Sequence, residues 1–133
     1  MKKKKVLFLC THNSCRSQMA EGFLNHLCKY NYKAFSAGIK KTHVNPYVIE
    51  VMGEIGIDIS DHRSKTIDEF KDTYFDIVVT VCDHAREVCP FFPGKKVIHK
   101  GFKDPSEEGN NDKILNRFRK TRDEIKTWIK YEF

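Results

Sequence analysis

The stretch Val6-Leu-Phe-Leu-Cys-Thr-His-Asn-Ser-Cys-Arg-Ser17 is the most informative part of this 133-residue chain. Its first four residues form a short apolar run, which predicts a buried β-strand. Apolar residues then recur at helical spacing, namely Met19, Phe23, Leu24, Leu27 and Cys28. The stretch therefore predicts a strand, a tight loop and a helix, which is the opening unit of an α/β fold.

Three further apolar runs predict strands at residues 35–38, 75–81 and 97–99. The run at 75–81 is the strongest, because an almost wholly apolar strand suits the centre of a parallel sheet that is covered on both faces. Helical patterns separate the runs. The alternation predicts a three-layer α/β fold, with a four-stranded parallel sheet flanked by helices, formed by a single domain over residues 1–133.

Signals for helix ends occur at three places. Asn45 before Pro46 predicts an N-cap and a first helical position, and Gly56 can end that helix. Thr66 and Glu69 have the spacing of a capping box, which predicts a short helix. Apolar residues recur between positions 114 and 129, which indicates a long C-terminal helix.

The net charge of +6 lies at the two ends of the chain. Lys2–Lys5 carry four positive charges, and residues 112–133 carry seven basic against four acidic side chains. Because residues 6–111 are nearly neutral, we interpret the ends as a solvated tag and a solvated helix face. A nucleic-acid-binding module is an alternative, and it would show a steep salt dependence of binding. The apolar runs are too short for a membrane span or a secretory signal, so we expect a cytoplasmic protein without a membrane partner.

The loop after the first predicted strand suits a tetrahedral anion. Backbone N–H groups between a strand and a helix N-terminus form an anion nest, which the helix dipole reinforces. Arg16 adds a planar guanidinium, and the same positive field favours the reactive thiolate of Cys10. Ser17 can donate a hydrogen bond to that thiolate. The residues expected around the oxyanion are Thr11, His12, Asn13, Ser14, Cys15, Arg16 and Ser17.

Two other groups also follow predicted strands. Cys82 ends the strongest strand, and Gly101-Phe-Lys-Asp104 follows the last one. In parallel α/β folds, sites gather at the carboxyl ends of the strands. We therefore expect Cys10, Cys82 and Asp104 at one edge of the sheet.

The Cys10 loop resembles that of the low-molecular-weight phosphotyrosine phosphatase family. The likeness continues through Glu21, Ser36-Ala-Gly38 and Asp104-Pro105, so it covers nearly the whole chain in the right order. The resemblance implies a four-stranded parallel sheet flanked by helices. It also implies that Cys10 attacks a bound oxyanion and that Asp104 is the general acid. One implied activity is hydrolysis of phosphotyrosine through a phosphorylated Cys10.

Cys82 and Cys89 are similar to the cysteine pair of the arsenate reductase branch of this family, which is coupled to thioredoxin. Gln18 and Ser106 support that branch, because the phosphatases usually have Pro at the first position and often an aromatic residue at the second. The resemblance implies a relay in which Cys10 attacks arsenate, Cys82 and then Cys89 take over the oxidation, and thioredoxin reduces the final disulfide. It implies a monomer without metal or cofactor, which binds arsenate, or phosphate and sulfate as mimics.

The spacing of Cys82 and Cys89 has a geometric consequence. Two helical turns rise about 10.5 Å, whereas bridged Cα atoms lie about 4.4–6.8 Å apart. We therefore expect residues 82–89 to loop or unwind and to be mobile. Two alternatives stay open for the pair: two core cysteines, and a zinc site of Cys82, His84, Cys89 and His99, although that spacing matches no familiar ligand pattern. For the whole chain, a non-catalytic redox or anion sensor also stays open, although Arg16 and Asp104 argue against it because a sensor needs no acid for a leaving group.

Two positions depart from the resemblance. His12 stands where the family often has Gly, and a positive φ there would be costly for most side chains. Lys65 stands where some of these reductases have an acidic residue that helps Asn13, Glu21 and Ser36 to hold a monovalent cation. Because a lysine ammonium can replace that cation, we expect no dependence on potassium.

Overall fold

The sheet and its connections follow the predicted alternation. The computed structural model describes residues 2–83 and 89–133. Its elements are β1 (Lys4–Leu9), α1 (Arg16–Leu27), β2 (Tyr32–Ala37), α2 (Pro46–Gly53), a 3₁₀ helix (Ile67–Phe70), β3 (Ile77–Thr80), β4 (Lys96–His99) and α3 (Asn111–Glu132). The strands pair in the order β2-β1-β3-β4, and every pairing is parallel. The predicted four-stranded parallel sheet is confirmed.

The strand bounds differ from the sequence prediction at all four strands. β2 begins at Tyr32, three residues before the predicted run at 35–38, and β4 begins at Lys96. β1 begins at Lys4, and its register pairs Lys4 with Tyr32, so part of the basic N-terminus belongs to the sheet, while the side chains of Lys2–Lys4 are exposed as expected. β3 covers four residues where seven were predicted, because only Ile77–Thr80 pairs with β1. Apolar residues before and after it are buried without strand pairing, which the hydrophobic pattern cannot distinguish from a strand.

Helices α1 and α3 cover one face of the sheet, and α2 packs on both of them. The side chains of Phe8, Phe23, Met52 and Phe118 are fully buried in this core. Each such side chain contributes about 1.5–3 kcal/mol relative to an exposed position.

The opposite face is closed by an aromatic cluster. Phe75 contacts Phe35, Phe70 and Phe92 edge to face, with ring centroids 5.6 Å apart in each pair. Among the residues that the structure describes, this flank consists of the 3₁₀ helix and of loops. Within the same residues, no helix combines the length and the apolar character needed to cross a membrane.

The predicted start of α2 is confirmed, but its end lies earlier. The Asn45 side chain accepts a hydrogen bond from the backbone N–H of Tyr47 at 2.9 Å, as an N-cap should. The helix ends at Gly53. Gly56 lies in the turn that follows, where its φ of +82° requires the conformational freedom of glycine.

The predicted capping box at Thr66 is wrong. The Thr66 side chain makes no capping hydrogen bond, and the element that follows is a 3₁₀ helix of four residues. The Glu69 carboxylate instead accepts two hydrogen bonds from Arg63, at 2.5 and 2.8 Å. Because a charged guanidinium is a stronger donor than a backbone N–H, the Glu69 carboxylate binds Arg63 and not the backbone N–H of Thr66.

The register of the central strands positions the site. β1 and β3 are neighbours, and Leu9 pairs with Thr80. Cys10 and Cys82 therefore leave the sheet at the same carboxyl edge, on strands that are about 4.8 Å apart.

Candidate active site

The loop between β1 and α1 has one left-handed residue. Asn13 has a φ of +52°, and α1 begins at Arg16 with Cys15 as its N-cap. The substitution of the family's Gly by His12 therefore meets no left-handed conformation, since the left-handed residue is its neighbour, and Asn tolerates this conformation well. The His12 side chain is exposed, and its carbonyl oxygen accepts a hydrogen bond from Ser64 Oγ at 3.0 Å.

Gly38 supports the loop from the end of β2. A Cβ atom on Gly38 would lie 2.7 Å from the carbonyl oxygens of both Cys10 and Thr11, which is closer than any side chain permits. The next residue, Ile39, donates its N–H to the Thr11 carbonyl at 2.9 Å. The loop backbone thus packs directly on the strand backbone, and only glycine fits between them.

A chain of hydrogen bonds leads to the sulfur of Cys10. Cys10 Sγ lies 2.8 Å from Ser17 Oγ, and Asn13 Nδ2 donates to the same oxygen at 2.8 Å. Asn13 Oδ1 accepts the backbone N–H of Lys65 at 2.9 Å, which fixes the orientation of the amide. Either sulfur or oxygen can donate in the neutral pair, but a thiolate can only accept, so Ser17 donates its hydrogen to Cys10 once the thiol is ionised. A donor in this position stabilises a thiolate.

Arg16 joins the loop to the segment after β4. It is 5% exposed, and its Nη1 donates to the carbonyl oxygen of Phe102 at 3.0 Å. Its Nη2 lies 4.0 Å from Oδ2 of Asp104. The role of Phe102 was not predicted from the sequence, because every residue has a backbone carbonyl and its use as an acceptor requires no particular side chain.

Asp104 lies at the mouth of the loop with its carboxylate half exposed. Its Oδ1 accepts hydrogen bonds from the N–H and the hydroxyl of Ser106, at 3.0 and 2.7 Å. Oδ2 is the oxygen that faces Arg16. The carboxylate is thus held by one oxygen and presents the other toward the anion loop, which is the geometry that a general acid needs.

Cys82 and Cys89 form a disulfide whose Cα atoms are 5.8 Å apart, while Cys10 is a free thiol. This Cα–Cα distance lies within the range of about 4.4–6.8 Å that is usual for disulfides, and it is shorter than two helical turns. Cys82 is fully buried, and its Sγ lies 3.7 Å from the carbonyl oxygen of Leu9, the residue before Cys10. The prediction of a mobile segment falls on residues 84–88, which lie outside the described residues.

The disulfide bears on the zinc alternative. It uses both thiols that such a site would need, and His84 lies outside the described residues. Within residues 2–83 and 89–133, no group of three or more His, Cys, Asp or Glu side chains is placed to hold a metal ion.

Cys15 lies inside the loop but has a protonated thiol. Burial raises the pKa of Cys15 to about 12, which the hydrogen bond with Ser14 only partly offsets. The side chain is therefore unreactive near neutral pH. Cys15 therefore serves the loop mainly through its backbone.

Behind the loop lies a buried polar cluster around Glu21. Glu21 Oε1 accepts the hydroxyl of Ser36 at 2.7 Å and lies 3.9 Å from Lys65 Nζ, and Oε2 lies 3.3 Å from His62 Nε2. Lys65 Nζ donates to the carbonyl of Arg63 at 2.9 Å, and burial lowers the pKa of Lys65. The side-chain nitrogen of Lys65 therefore lies beside the Glu21 carboxylate, where it was expected from the sequence to replace a cation.

Sequence relatives of this chain include several arsenate reductases. The family model for low molecular weight phosphotyrosine protein phosphatase matches residues 5–131. An arsenate reductase of Halalkalibacterium halodurans is 48% identical over 132 residues, which cover 98% of this chain and 95% of that protein. Arsenate reductase 2 of Staphylococcus haemolyticus is 45% identical over 130 residues, with coverage of 97% and 95%.

Solved structures with the same fold include both reductases and a phosphatase. An arsenate reductase in the phosphate binding state aligns with a TM-score of 0.80 at 32% identity, covering 96% of this chain and 95% of that chain. The low molecular weight protein tyrosine phosphatase of T. tengcongensis aligns with a TM-score of 0.77 at 29% identity, covering 96% of each. A thioredoxin-dependent arsenate reductase of Corynebacterium glutamicum aligns with a TM-score of 0.66 at 28% identity, covering 98% of this chain and 64% of that one. The backbone fold therefore does not separate the two activities.

Proposed function

The chain belongs to the low molecular weight phosphotyrosine protein phosphatase family, and we propose that within it this protein reduces arsenate to arsenite with thioredoxin as the electron donor. The observation that carries the proposal is the disulfide between Cys82 and Cys89 at the strand edge that also holds Cys10. Hydrolysis of a phosphoester needs no such pair, whereas reduction needs two electrons from thiols. Identities of 48% and 45% to two arsenate reductases support the same choice.

In the first step, arsenate binds in the loop of residues 10–17, where Arg16 and backbone N–H groups offset its charge. The Cys10 thiolate attacks arsenic and forms a sulfur–arsenic bond. Asp104 gives a proton to the departing oxygen, which leaves as water. Ser17 Oγ lies 2.8 Å from Cys10 Sγ, where its hydroxyl can donate to a thiolate, which supports the thiolate as the attacking species.

The second step transfers two electrons to arsenic. The Cys82 thiolate attacks the sulfur of Cys10, the electron pair of the sulfur–arsenic bond passes to arsenic, and arsenite leaves. Cys89 then attacks Cys82, which releases Cys10 as a thiolate and leaves a disulfide between Cys82 and Cys89. A free Cys10 beside that disulfide, as found here, corresponds to the oxidised end of this cycle.

Thioredoxin then reduces the disulfide. Cys82 is fully buried, whereas Cys89 is partly exposed, so we expect the incoming thiolate to attack the sulfur of Cys89. The cycle requires thiols that are kept reduced, which favours the cytoplasm. On this proposal the protein acts as a single domain and a monomer without a bound cofactor.

The decisive experiment is a coupled assay with arsenate, thioredoxin, thioredoxin reductase and NADPH. We expect NADPH consumption that depends on arsenate and stops when Cys10 is replaced by Ser. If arsenate causes no consumption above background, the proposal fails.

A second experiment isolates the cysteine pair. Cys89→Ser should reduce one arsenate per protein and then stop, because the Cys10–Cys82 disulfide that remains joins two residues that are 2% and 0% exposed. Cys28→Ser is the matched control, since Cys28 lies at the C-terminal end of α1, and it should retain turnover. Unimpaired turnover of Cys89→Ser would remove Cys89 from the relay.

The second candidate function is phosphotyrosine hydrolysis, which is favoured by the similarity to the T. tengcongensis phosphatase. The anion loop cannot easily distinguish phosphate from arsenate, so we expect slow hydrolysis of p-nitrophenyl phosphate. Cys82→Ser should abolish thioredoxin-linked turnover and spare this hydrolysis. Hydrolysis faster than arsenate reduction in the unmodified protein would reverse the assignment.

A further inference from the structure

Gln18 connects four groups from a fully buried position in the first turn of α1. Its Nε2 lies 3.1 Å from the carbonyl oxygen of Asn13, 3.0 Å from Asn13 Oδ1 and 3.0 Å from the carbonyl oxygen of Arg63. Three acceptors around one atom identify that atom as the amide nitrogen. Its Oε1 therefore accepts from Nδ1 of His62, 3.0 Å away, and His62 carries a hydrogen on that nitrogen.

The target of Gln18 is the left-handed residue of the anion loop. Gln18 binds both the backbone carbonyl and the side-chain oxygen of Asn13. The first bond holds the peptide that follows a φ of +52°, and the second holds the amide in one of its two orientations. In the part of the chain that the structure describes, Asn13 is the one residue other than glycine with a positive φ. Gln18 thus stabilises a conformation that the backbone does not prefer.

The orientation of the Asn13 amide decides where the hydrogen of Ser17 points. In the observed orientation Nδ2 donates to Ser17, which leaves the hydrogen of Ser17 available to a thiolate at Cys10, 2.8 Å away. In the flipped orientation an oxygen would face Ser17, whose hydrogen would turn toward Asn13 and away from the sulfur. Cys10 would then lose a donor that favours its thiolate.

We propose that Gln18 is a positioning residue for the nucleophile, which acts through Asn13 and Ser17 to maintain the thiolate of Cys10. His62 holds Gln18 in turn, through the hydrogen bond to its amide oxygen. The inference deepens the proposed function, since it concerns the nucleophile of that reaction. Its test requires no arsenate, so a failure here is distinguishable from a failure of the reductase assignment.

The test measures alkylation of Cys10 by iodoacetamide in the reduced protein, over a range of pH and by mass spectrometry of the peptide. Gln18→Met retains the length and burial of the side chain but removes its donors. We expect the pH of half-maximal Cys10 alkylation to rise by about one unit, which is about a tenfold loss of thiolate on the acid side.

Asn25→Leu is the matched control. Asn25 lies on the same helix, and its amide makes two hydrogen bonds with the backbone of Ala34, at 3.1 and 2.7 Å. This variant loses similar bonds at a distance from the loop, so its Cys10 profile should not move. A shift as large as that of Gln18→Met would mean that general loosening of α1 is the cause, and the proposal would fail.

A double-mutant cycle tests the route through Ser17. Ser17→Ala should shift the profile by itself, and Gln18→Met should add nothing in that background. An unchanged profile in folded Gln18→Met, or a full additional shift on Ser17→Ala, would overturn the proposal. If Gln18→Met does not fold, Gln18→Glu serves instead, because a carboxylate oxygen facing the oxygens of Asn13 should produce the same upward shift.

Discussion

The sulfur of Cys10 lies 2.8 Å from the hydroxyl oxygen of Ser17, at the junction of the central strand and the first helix. Both side chains are buried, and the serine oxygen also accepts from Asn13. The Ser17 hydroxyl that contacts the nucleophile of the proposed reaction is therefore oriented by its hydrogen bond with Asn13. Several measurable properties depend on this arrangement.

Ser17→Ala should slow thioredoxin-linked arsenate reduction about tenfold. The variant loses one hydrogen bond to a charged sulfur, and such bonds contribute about 1.5–3 kcal/mol. Steady-state kinetics should show the loss in kcat. Ser60→Ala, at an exposed position in the loop after α2, should behave like the unmodified protein. An unchanged kcat for Ser17→Ala would mean that the hydroxyl does not assist Cys10.

Asp104→Asn should lower kcat about 100-fold, which is typical for loss of a general acid. The asparagine oxygen can still accept both hydrogen bonds from Ser106, so the variant loses the proton donor and keeps the turn. Glu107→Gln, an exposed carboxylate three residues away, is the control. If Asp104→Asn stays within twofold of the unmodified protein in single-turnover experiments, another group protonates the leaving oxygen.

Potassium should have no effect on this protein. Lys65 Nζ already lies 3.9 Å from the Glu21 carboxylate, in a position that is 8% exposed. Melting temperature and kcat should therefore agree in potassium and sodium chloride at equal ionic strength. Lys65→Asp should create a dependence, since it leaves two buried carboxylates without the ammonium. A large potassium effect on the unmodified protein would contradict the hypothesis that the Lys65 side chain takes the place of a monovalent cation.

The ion pairs of Glu54 should make stability depend on pH. Hydrogen bonds from Arg119, the nearer at 2.6 Å, hold the pKa of Glu54 below its ordinary value of 4.5, and Arg122 adds another at 2.8 Å. The folded state therefore favours the carboxylate. Its contribution is complete above pH 4.5 and disappears as the pH falls through the lowered pKa.

Glu54→Gln should accordingly reduce the free energy of unfolding by about 1 kcal/mol at pH 7, a small value because the carboxylate is partly solvated. Urea unfolding should show this difference shrinking toward zero in acid. Glu50→Gln, an exposed carboxylate in the last turn of α2 and four residues before Glu54, should change little at any pH. A difference for Glu54→Gln that persists unchanged at low pH would rule out the ion pairs as its source.

The elements that depend on local pattern were predictable. The apolar run of β1, the N-cap at Asn45 and the periodicity of α3 each reflect neighbouring residues, so the parallel sheet could be expected before any contact was known. The strand–loop–helix unit that carries Cys10, Arg16 and Ser17 was equally predictable, because the apolar run and the helical spacing around it are local. The capping box at Thr66 was not, since its carboxylate binds a distant guanidinium.

The contacts that orient the site depend on residues far apart in the chain. Gln18 meets His62 across 44 positions, Asn13 meets Lys65 across 52, and Arg16 meets Phe102 across 86. Such bonds join single polar atoms, often backbone carbonyls, and therefore leave no periodic signal in residue type. The order of residues, with the family resemblance that it carries, predicted a nucleophile, an anion loop and a thiol pair. The tertiary fold decided which way the amides and hydroxyls point, because a hydrogen bond has a direction only once both partners are in place.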